Sequence, residues 1–366
     1  MNNLRVIGTI GLKQVTQKDI AKELGVTRIT VSKALSNNSD ISIEMRKKVH
    51  QLAQEKGYIP NHTASNLHRH KTNTIGVVVP DVSNSFFSYT IEGIMNSAAK
   101  HGYHVMLTVS RENASIEKEN ILTLLSHRVD GLLVAISKDT IERTIYDIVK
   151  KRNVPLVFFD RAMDGNEFSS VGIDDRTAAF NLVVYAITCG YKNIAHLAGT
   201  LTTSIGRDRH SGYVDALKKF NIPIKEDWII CEGFDKTSGY NGCRKLLERE
   251  KLPEVIFATN DRIAHGAYIA IKEAGLRIPE DISVVSLGHR EFAELLSPTL
   301  TIIDSSPEVL GERAMEVLVD EMTGPIPQGT QHIILDTILR ENQSFIPKKS
   351  NGMSHQVSSN FTKKKG

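Results

Sequence analysis

Between residues 74 and 346 the chain repeats one pattern. A short, unbroken apolar run is followed by an amphipathic stretch of helical period. The apolar runs are Ile75–Val79, His104–Val109, Gly131–Ile136, Pro155–Asp160, Ile194–Gly199, Val255–Thr259 and Ser283–Leu287. The helical stretches between them include Ile116–His127, Ala178–Cys189, Arg209–Phe220, Ile263–Ala274 and Pro307–Met322. A strand that is apolar throughout must be covered on both faces, and helices between parallel strands supply that cover. So many units are most simply accommodated as two doubly wound α/β lobes. In such sheets ligands sit beyond the carboxyl ends of the strands. The positions that follow each strand therefore carry the most functional weight: Asp81 to Phe87, Asp160-Arg161, Asn260-Asp261 and Gly288-His289.

The chain has 366 residues, 40% hydrophobic and 24% charged. That length suits two or three folding units, and that balance excludes a disordered or collagen-like polymer. No apolar run reaches the roughly 18 residues needed to span a bilayer. The run Val6–Leu12 is short for a signal core and is followed by Lys13 and Gln14 rather than a cleavage site. Cys189, Cys231 and Cys243 are odd in number and lack CxxC spacing, as expected of free thiols in a reducing cytoplasm. His68-x-His70 has no further ligand to complete a metal site. Gly8-x-x-Gly11 is too sparse for a phosphate loop. Ser286 and His289 are near each other, but no glycine-framed elbow surrounds the serine. No catalytic set, metal or cofactor is expected.

Charge is distributed unevenly. Residues 1–73 carry 12 Lys/Arg against 5 Asp/Glu, residues 74–346 carry 28 against 37, and residues 347–366 carry 5 Lys and no acid. A basic head on an acidic body points the head toward a polyanion, although a basic solvated face would look the same. The expected division is a leader at 1–14, a helical head at 15–60, a linker at 61–73, the two-lobed body at 74–346 and a disordered basic tail at 347–366. The tail has no leucine heptad and so predicts no coiled coil.

The head reads as three short helices. Thr16 caps Gln17–Leu24, with Asp19 completing a variant capping box and Gly25 as the stop. Thr27 caps a second helix to about Leu35, and Ser42 caps a third from Ile43 to about Lys56. Ile20, Ala21, Leu24, Val31, Ala34, Leu35, Val49, Leu52 and Ala53 face inward. Arg28, Ile29, Ser32 and Lys33 are left on the outer face of the second helix. Two helices around a Gly-centred turn fit a helix-turn-helix, whose second helix enters the major groove. Arg28 can bind guanine O6/N7, Ile29 can touch thymine methyls, and Lys33 can reach guanine or phosphate. Thr16, Thr27, Ser32 and Ser42 are short donors suited to phosphates. The periodicity alone also allows a three-helix protein-binding module.

The stretch Val15-Thr-Gln-Lys-Asp-Ile-Ala-Lys-Glu-Leu-Gly-Val-Thr-Arg-Ile-Thr-Val-Ser-Lys-Ala-Leu35 resembles the head of the lactose-repressor (LacI/GalR) family of bacterial transcription regulators. So does Gly57-Tyr-Ile-Pro-Asn61 followed by Ala64 and Leu67. In the body, Val79-Pro-Asp-Val-Ser-Asn-Ser-Phe-Phe87, Arg128-Val-Asp-Gly-Leu-Leu133, Phe159-Asp-Arg161, Ala258-Thr-Asn-Asp261 and Ile278-Pro-Glu-Asp-Ile-Ser-Val-Val285 extend the likeness, in order, from about residue 15 to 342.

The resemblance implies a homodimer on near-palindromic operator DNA, with a body like periplasmic sugar-binding proteins and a small effector between its lobes. It places base reading on Arg28, Ile29 and Lys33. It makes Asn61 to about His70 a hinge helix for the minor groove, with Leu67 as an apolar wedge. It places the effector among Asn84, Phe86, Phe87 and Asp160 from one lobe and Arg209, Asn260, Asp261 and His289 from the other. One of Asn260 and Asp261 is expected only to cap a helix. Many sugar-binding members have an aromatic and one or two acids where this chain has Leu287-Gly-His289. That departure, with Arg209 kept, predicts a less negative cleft and an acidic ligand, a uronate or sugar phosphate. Two other classes stay in view. A plain solute-binding protein would need a signal peptide and no head, and an α/β hydrolase would need a catalytic set.

Overall fold

The computed structural model describes residues 15–59, 71–163, 165, 167–324 and 329–348. The chain divides into two compact units, one up to Thr72 and one from Asn73 onward.

The first unit holds helices Gln17–Leu24, Arg28–Leu35 and Ile43–Glu55. Its local chemistry follows the sequence closely. The Thr16 hydroxyl accepts from Asp19 N–H while the Asp19 carboxylate accepts from Thr16 N–H at 2.9 Å, a complete capping box. Gly25 ends the first helix at φ +64°, a left-handed conformation that glycine adopts without a Cβ clash. The Thr27 hydroxyl accepts from Thr30 N–H at 3.1 Å, and Ser42 accepts from Met45 N–H at 3.3 Å. Ile20, Ala21, Val31, Ala34, Val49 and Ala53 form the buried centre, with Leu24, Leu35 and Leu52 packed around it.

The second unit contains two six-stranded sheets. The strands are β1 (Thr74–Val79), β2 (His104–Val109), β3 (Gly131–Val134), β4 (Leu156–Phe159), β5 (Ser169–Ile173), β6 (Ile194–Ala198), β7 (Ile229–Cys231), β8 (Val255–Ala258), β9 (Ser283–Gly288), β10 (Thr301–Asp304), β11 (His332–Leu335) and β12 (Ile338–Arg340). One sheet runs β11-β5-β4-β3-β1-β2 and the other β12-β10-β9-β8-β6-β7. Among the described residues all strand pairings are parallel except β10 with β12. Side chains alternate between two cores. Ile75, Val77 and Val79 of β1 point into one cluster and Val78 into another on the opposite face. This double burial is why β1, β3, β4 and β8 read as nearly continuous apolar runs.

The described chain passes between the lobes at residues 173–175, 304–307 and 335–338. After β10 it returns to the first lobe as helix Pro307–Thr323, whose Leu310, Ala314 and Met315 join the first lobe's core. That helix packs tightly on helix Ser85–Lys100. A Cβ on Gly93 would lie 2.1 Å from the Glu308 carbonyl oxygen, and one on Gly311 would lie 2.0 Å from that of Thr90.

The helix expected over Arg209–Phe220 begins earlier, at Ser204, so Arg209 lies in its second turn and faces inward. β3 ends at Val134 rather than Ile136, and β4 ends at Phe159 because Asp160 turns to φ +59°. Strands β5, β7, β10, β11 and β12 lie outside the apolar runs named from sequence. At the start of the expected tail, Lys348 is tied down: its ammonium pairs with Glu254 and its N–H donates to the Cys189 carbonyl at 3.0 Å. Among the described residues no helix is long and apolar enough to cross a membrane.

Candidate functional site

Two features concern function, one in each unit. In the first, Arg28, Ile29 and Ser32 are exposed on helix Arg28–Leu35, while Val31 and Ala34 hold its other side in the core. Ile29 is 65% exposed, an apolar side chain presented outward. Lys33 is not free: its ammonium lies 2.7 Å from the Asp40 carboxylate. The Thr16 hydroxyl donates to Asp19 at 2.7 Å, and those of Thr27 and Thr30 are 2.9 Å apart. The cap hydroxyls of Thr16 and Thr27 thus already have partners inside the head. Ser42 uses its oxygen as an acceptor and keeps its proton for another group. Asn61, Leu67, His68 and His70 lie outside the described residues.

In the second unit a cavity opens between the lobes at the carboxyl ends of both sheets. Asn84, Phe86, Phe87, Asp160 and Arg161 line it from one lobe, and Ile205, Arg209, Phe234, Asn260, Asp261, Leu287 and Gly288 from the other. Sheet order explains the location. In each lobe the order in which strands are added reverses beside the first strand, between β1 and β3 and between β6 and β8. Loops leaving adjacent strands diverge there, and a crevice results.

Asn84 caps helix Ser85–Lys100 by accepting from Phe86 N–H at 3.2 Å. Phe86 and Phe87 meet edge-on with ring centroids 5.3 Å apart, Phe87 being buried in the lobe core. The Arg161 guanidinium lies 5.8 Å from the Phe87 ring centroid and 5.9 Å from that of Phe234, so it sits between aromatic rings of opposite lobes. It also donates to Glu112 at 2.9 Å.

Three carboxyl groups at or beside the cavity are held above their ordinary range. Asp160 is pushed up to about 7, chiefly by burial; Arg161 and Arg209 oppose the shift, and Asp175 and Glu112 add to it. Burial also raises Asp175 against the pull of Arg209. Asp261 is raised by burial while the backbone N–H groups of His289 and Arg262 hold it back. Arg209 donates to Asp175 and, at 2.7 Å, to the Thr259 carbonyl. Asn260 caps helix Asp261–Glu273 through Ile263 N–H at 2.8 Å and donates to the Phe234 carbonyl at 3.0 Å.

Of the effector positions expected from sequence, Asn84, Phe86, Phe87, Asp160, Arg209, Asn260 and Asp261 come together here. His289 does not. Its Nε2 lies 3.2 Å from Glu308, and its ring is 4.3 Å from that of Tyr89. It starts helix Arg290–Leu295 and turns toward the first lobe's helices, away from the cavity. His289 therefore adds no charge to the cavity, Leu287 and Gly288 line it without an acid, and the Arg209 charge is matched by Asp175. Arg161, Phe234 and Asp175 are the important additions. Phe234 follows β7, a three-residue strand too short to register as an apolar run. Asp175 opens a helix at the first lobe crossing, and its carboxylate serves a side chain 34 residues away.

Two further contacts join the lobes: Arg262 with Asp81 at 2.9 Å, and Tyr89 hydroxyl with Glu291. Among the described residues no three His, Cys, Asp or Glu side chains group to hold a metal.

A helix-turn-helix joined to a two-lobed body with a polar cleft defines a transcription regulator with a ligand-binding domain. The chain belongs to the LacI family of bacterial regulatory proteins. Residues 16–61 match that family's regulatory head, and residues 72–339 match the periplasmic binding proteins and sugar binding domain of the LacI family. It is 33% identical to the transcriptional repressor PurR of Photorhabdus laumondii over 84% of this chain and 90% of that one. It is 32% identical to the repressor CytR of Escherichia coli over 91% of this chain and 97% of that one. Among solved structures, the Lac repressor dimer bound to operator and the anti-inducer ONPF is similar with a TM-score of 0.79 and 27% identity, covering 91% of this chain and 99% of that one.

Proposed function

We propose that this chain is a cytoplasmic repressor that binds a near-palindromic operator as a homodimer and is controlled by a sugar-like effector held between its lobes. It is not an enzyme in this reading and needs no cofactor. The observation that carries it is the cavity: aromatic rings, guanidinium groups and carboxyl groups from both lobes converge on a space at the strand ends. Phe86 and Phe234 offer apolar surface to a sugar ring, and Asp160, Arg161, Arg209 and Asp261 offer hydrogen bonds to hydroxyls. Because the ligand touches both lobes, its binding favours one lobe arrangement over another, and that preference is felt equally at the DNA.

On the DNA, Arg28 reads a base edge, Ile29 contacts a thymine methyl, and Ser32 and Ser42 position the head on phosphates. Asn61 and Leu67 act in the minor groove, Leu67 as a wedge that opens a base step. The dimer forms through the body and does not need the basic tail. One head covers one half-site, and pairing fixes the spacing of two.

Genome-wide mapping of bound DNA, followed by mobility shifts with the recovered fragments, tests the proposal. A shared two-fold sequence and release by a carbohydrate are expected. Uniform binding to all fragments, or none, would refute it.

A further inference from the structure

Beside the cavity lies a second compartment of the cleft, with Arg161 lining both. We infer that it receives the phosphate group of a phosphorylated effector, so that the ligand of the proposed site is a sugar phosphate. Lys138, Arg143, Arg161 and Arg207 line the compartment, and no described carboxylate is among the lining residues. The body as a whole carries more acids than bases, so a cluster of four cations runs against its composition. Lys138, Arg143 and Arg207 form no ion pair with a described carboxylate. Arg207 instead donates to the Thr202 carbonyl at 2.7 Å, which holds its guanidinium over the loop before helix Ser204–Lys219.

Arg161 adds an independent observation, a buried donor whose hydrogen bond is unmade. It is 7% exposed, it lines both the compartment and the inner cavity, its Nη1 donates to Glu112, and its buried Nε makes no hydrogen bond, the Asp160 carboxylate lying 3.7 Å from it. At 3.7 Å the Asp160 carboxylate is too far to accept a hydrogen bond, so the Nε proton can still be taken up by an anion at the junction of the two spaces. The start of helix Ser204–Lys219 adds to the field. Thr203 satisfies Gly206 N–H at 3.1 Å, and the dipole at a helix N-terminus favours negative charge. A carboxylate offers two oxygens and one charge, which one guanidinium can satisfy. A phosphate monoester carries about −1.5 to −2 and three acceptor oxygens, which suits several cations. The sugar would occupy the inner cavity and the phosphate the outer space, with Arg161 touching both.

The inference rests on the inner cavity being the effector site, but its test uses no DNA and so fails or succeeds apart from repression. The full-length protein is titrated calorimetrically with inorganic phosphate, a panel of hexose and pentose phosphates, their unphosphorylated counterparts and hexuronates. At least one sugar phosphate should bind ten-fold or more tighter than its neutral counterpart. The double variant Lys138→Gln/Arg143→Gln, in which both changes are at exposed side chains, should lose ten-fold or more for that sugar phosphate. Its affinity for the neutral sugar and its melting temperature should stay as in the parent. Inorganic phosphate binding that the variant loses, with sugar phosphates no tighter, would make the compartment a free-phosphate site and overturn the effector assignment. Equal affinity for phosphorylated and neutral sugars, preference for a uronate, or no binding of any phosphate compound would overturn it as well.

Discussion

Arg209 donates from Nε to the Asp175 carboxylate at 2.7 Å, and both side chains are about 10% exposed. The two residues come from neighbouring helices, Asp175–Thr188 and Ser204–Lys219, and the pair forms at the edge of the interlobe cavity. Removing one member leaves the other as an uncompensated buried charge, a loss of about 3–5 kcal/mol. Asp175→Ala should lower stability by that amount in urea unfolding, while Asp175→Leu combined with Arg209→Met should cost clearly less. A single variant as stable as the parent would mean that water already solvates the pair.

Asp160 gives a pH dependence whose sign follows from linkage. Its carboxyl is raised to about 7 in the folded chain and returns to its ordinary value when unfolded. Between those two values the folded state holds a proton that the unfolded state has lost, so this residue's contribution to stability falls as pH rises and levels off above about 7. The groups facing it are Arg161, Arg209, Asp175 and Glu112. Asp160→Asn keeps a side chain that tolerates the left-handed backbone at this position and cannot ionise. Unfolding free energies from pH 5 to 8 should fall less steeply in that variant than in the parent. Parallel curves would show that Asp160 is not the group responsible.

In the head, Lys33 is held by Asp40 across a half-exposed ion pair. Such pairs contribute about 0–1 kcal/mol, so Asp40→Asn should strengthen binding to random DNA by no more than about five-fold. The increase should shrink as salt is added, because phosphate contacts release counterions. Anisotropy titrations at several salt concentrations measure both effects, and weaker binding by the variant would contradict the role given to Lys33.

Arg28 is exposed and its side chain forms no hydrogen bond or ion pair with a described residue of the head. Arg28→Ala should reduce discrimination at one base pair per half-site by about 1–3 kcal/mol. The variant and parent are compared on the operator and on operators substituted at each position. An unchanged ratio at every position would assign Arg28 to the backbone instead.

The helical head is legible from local chemistry. Thr16, Asp19, Gly25, Thr27 and Ser42 each act within a few residues, and sequence spacing reports such caps directly. The two-lobed body is legible from the long apolar runs, but not its completion. β7, β10, β11 and β12 have only three or four residues each, and their strand character depends on partners far along the chain. The same distinction runs through the site. Asn84, Asp160 and Asn260 follow strands and could be located by that rule. The position of His289 was unreadable because residues on another lobe decide which way it points. The pairing of Asp175 with Arg209 was equally hidden, since nothing in the spacing of the two residues reveals a shared helix interface.

β11 lies beside β5, so that His332 is in register with Ser170. The helix that closes the first lobe's core, Pro307–Thr323, also comes from the far end of the sequence. During synthesis, the early lobe therefore emerges from the ribosome without its last strand and one covering helix, and must wait while the whole of the other lobe is translated. Contacts over such separations form slowly, and the exposed edge of β5 is open to wrong partners in the meantime. A nascent chain stalled before residue 307 should remain protease-sensitive in both lobes, and the body should become resistant only when nearly all of it has been released.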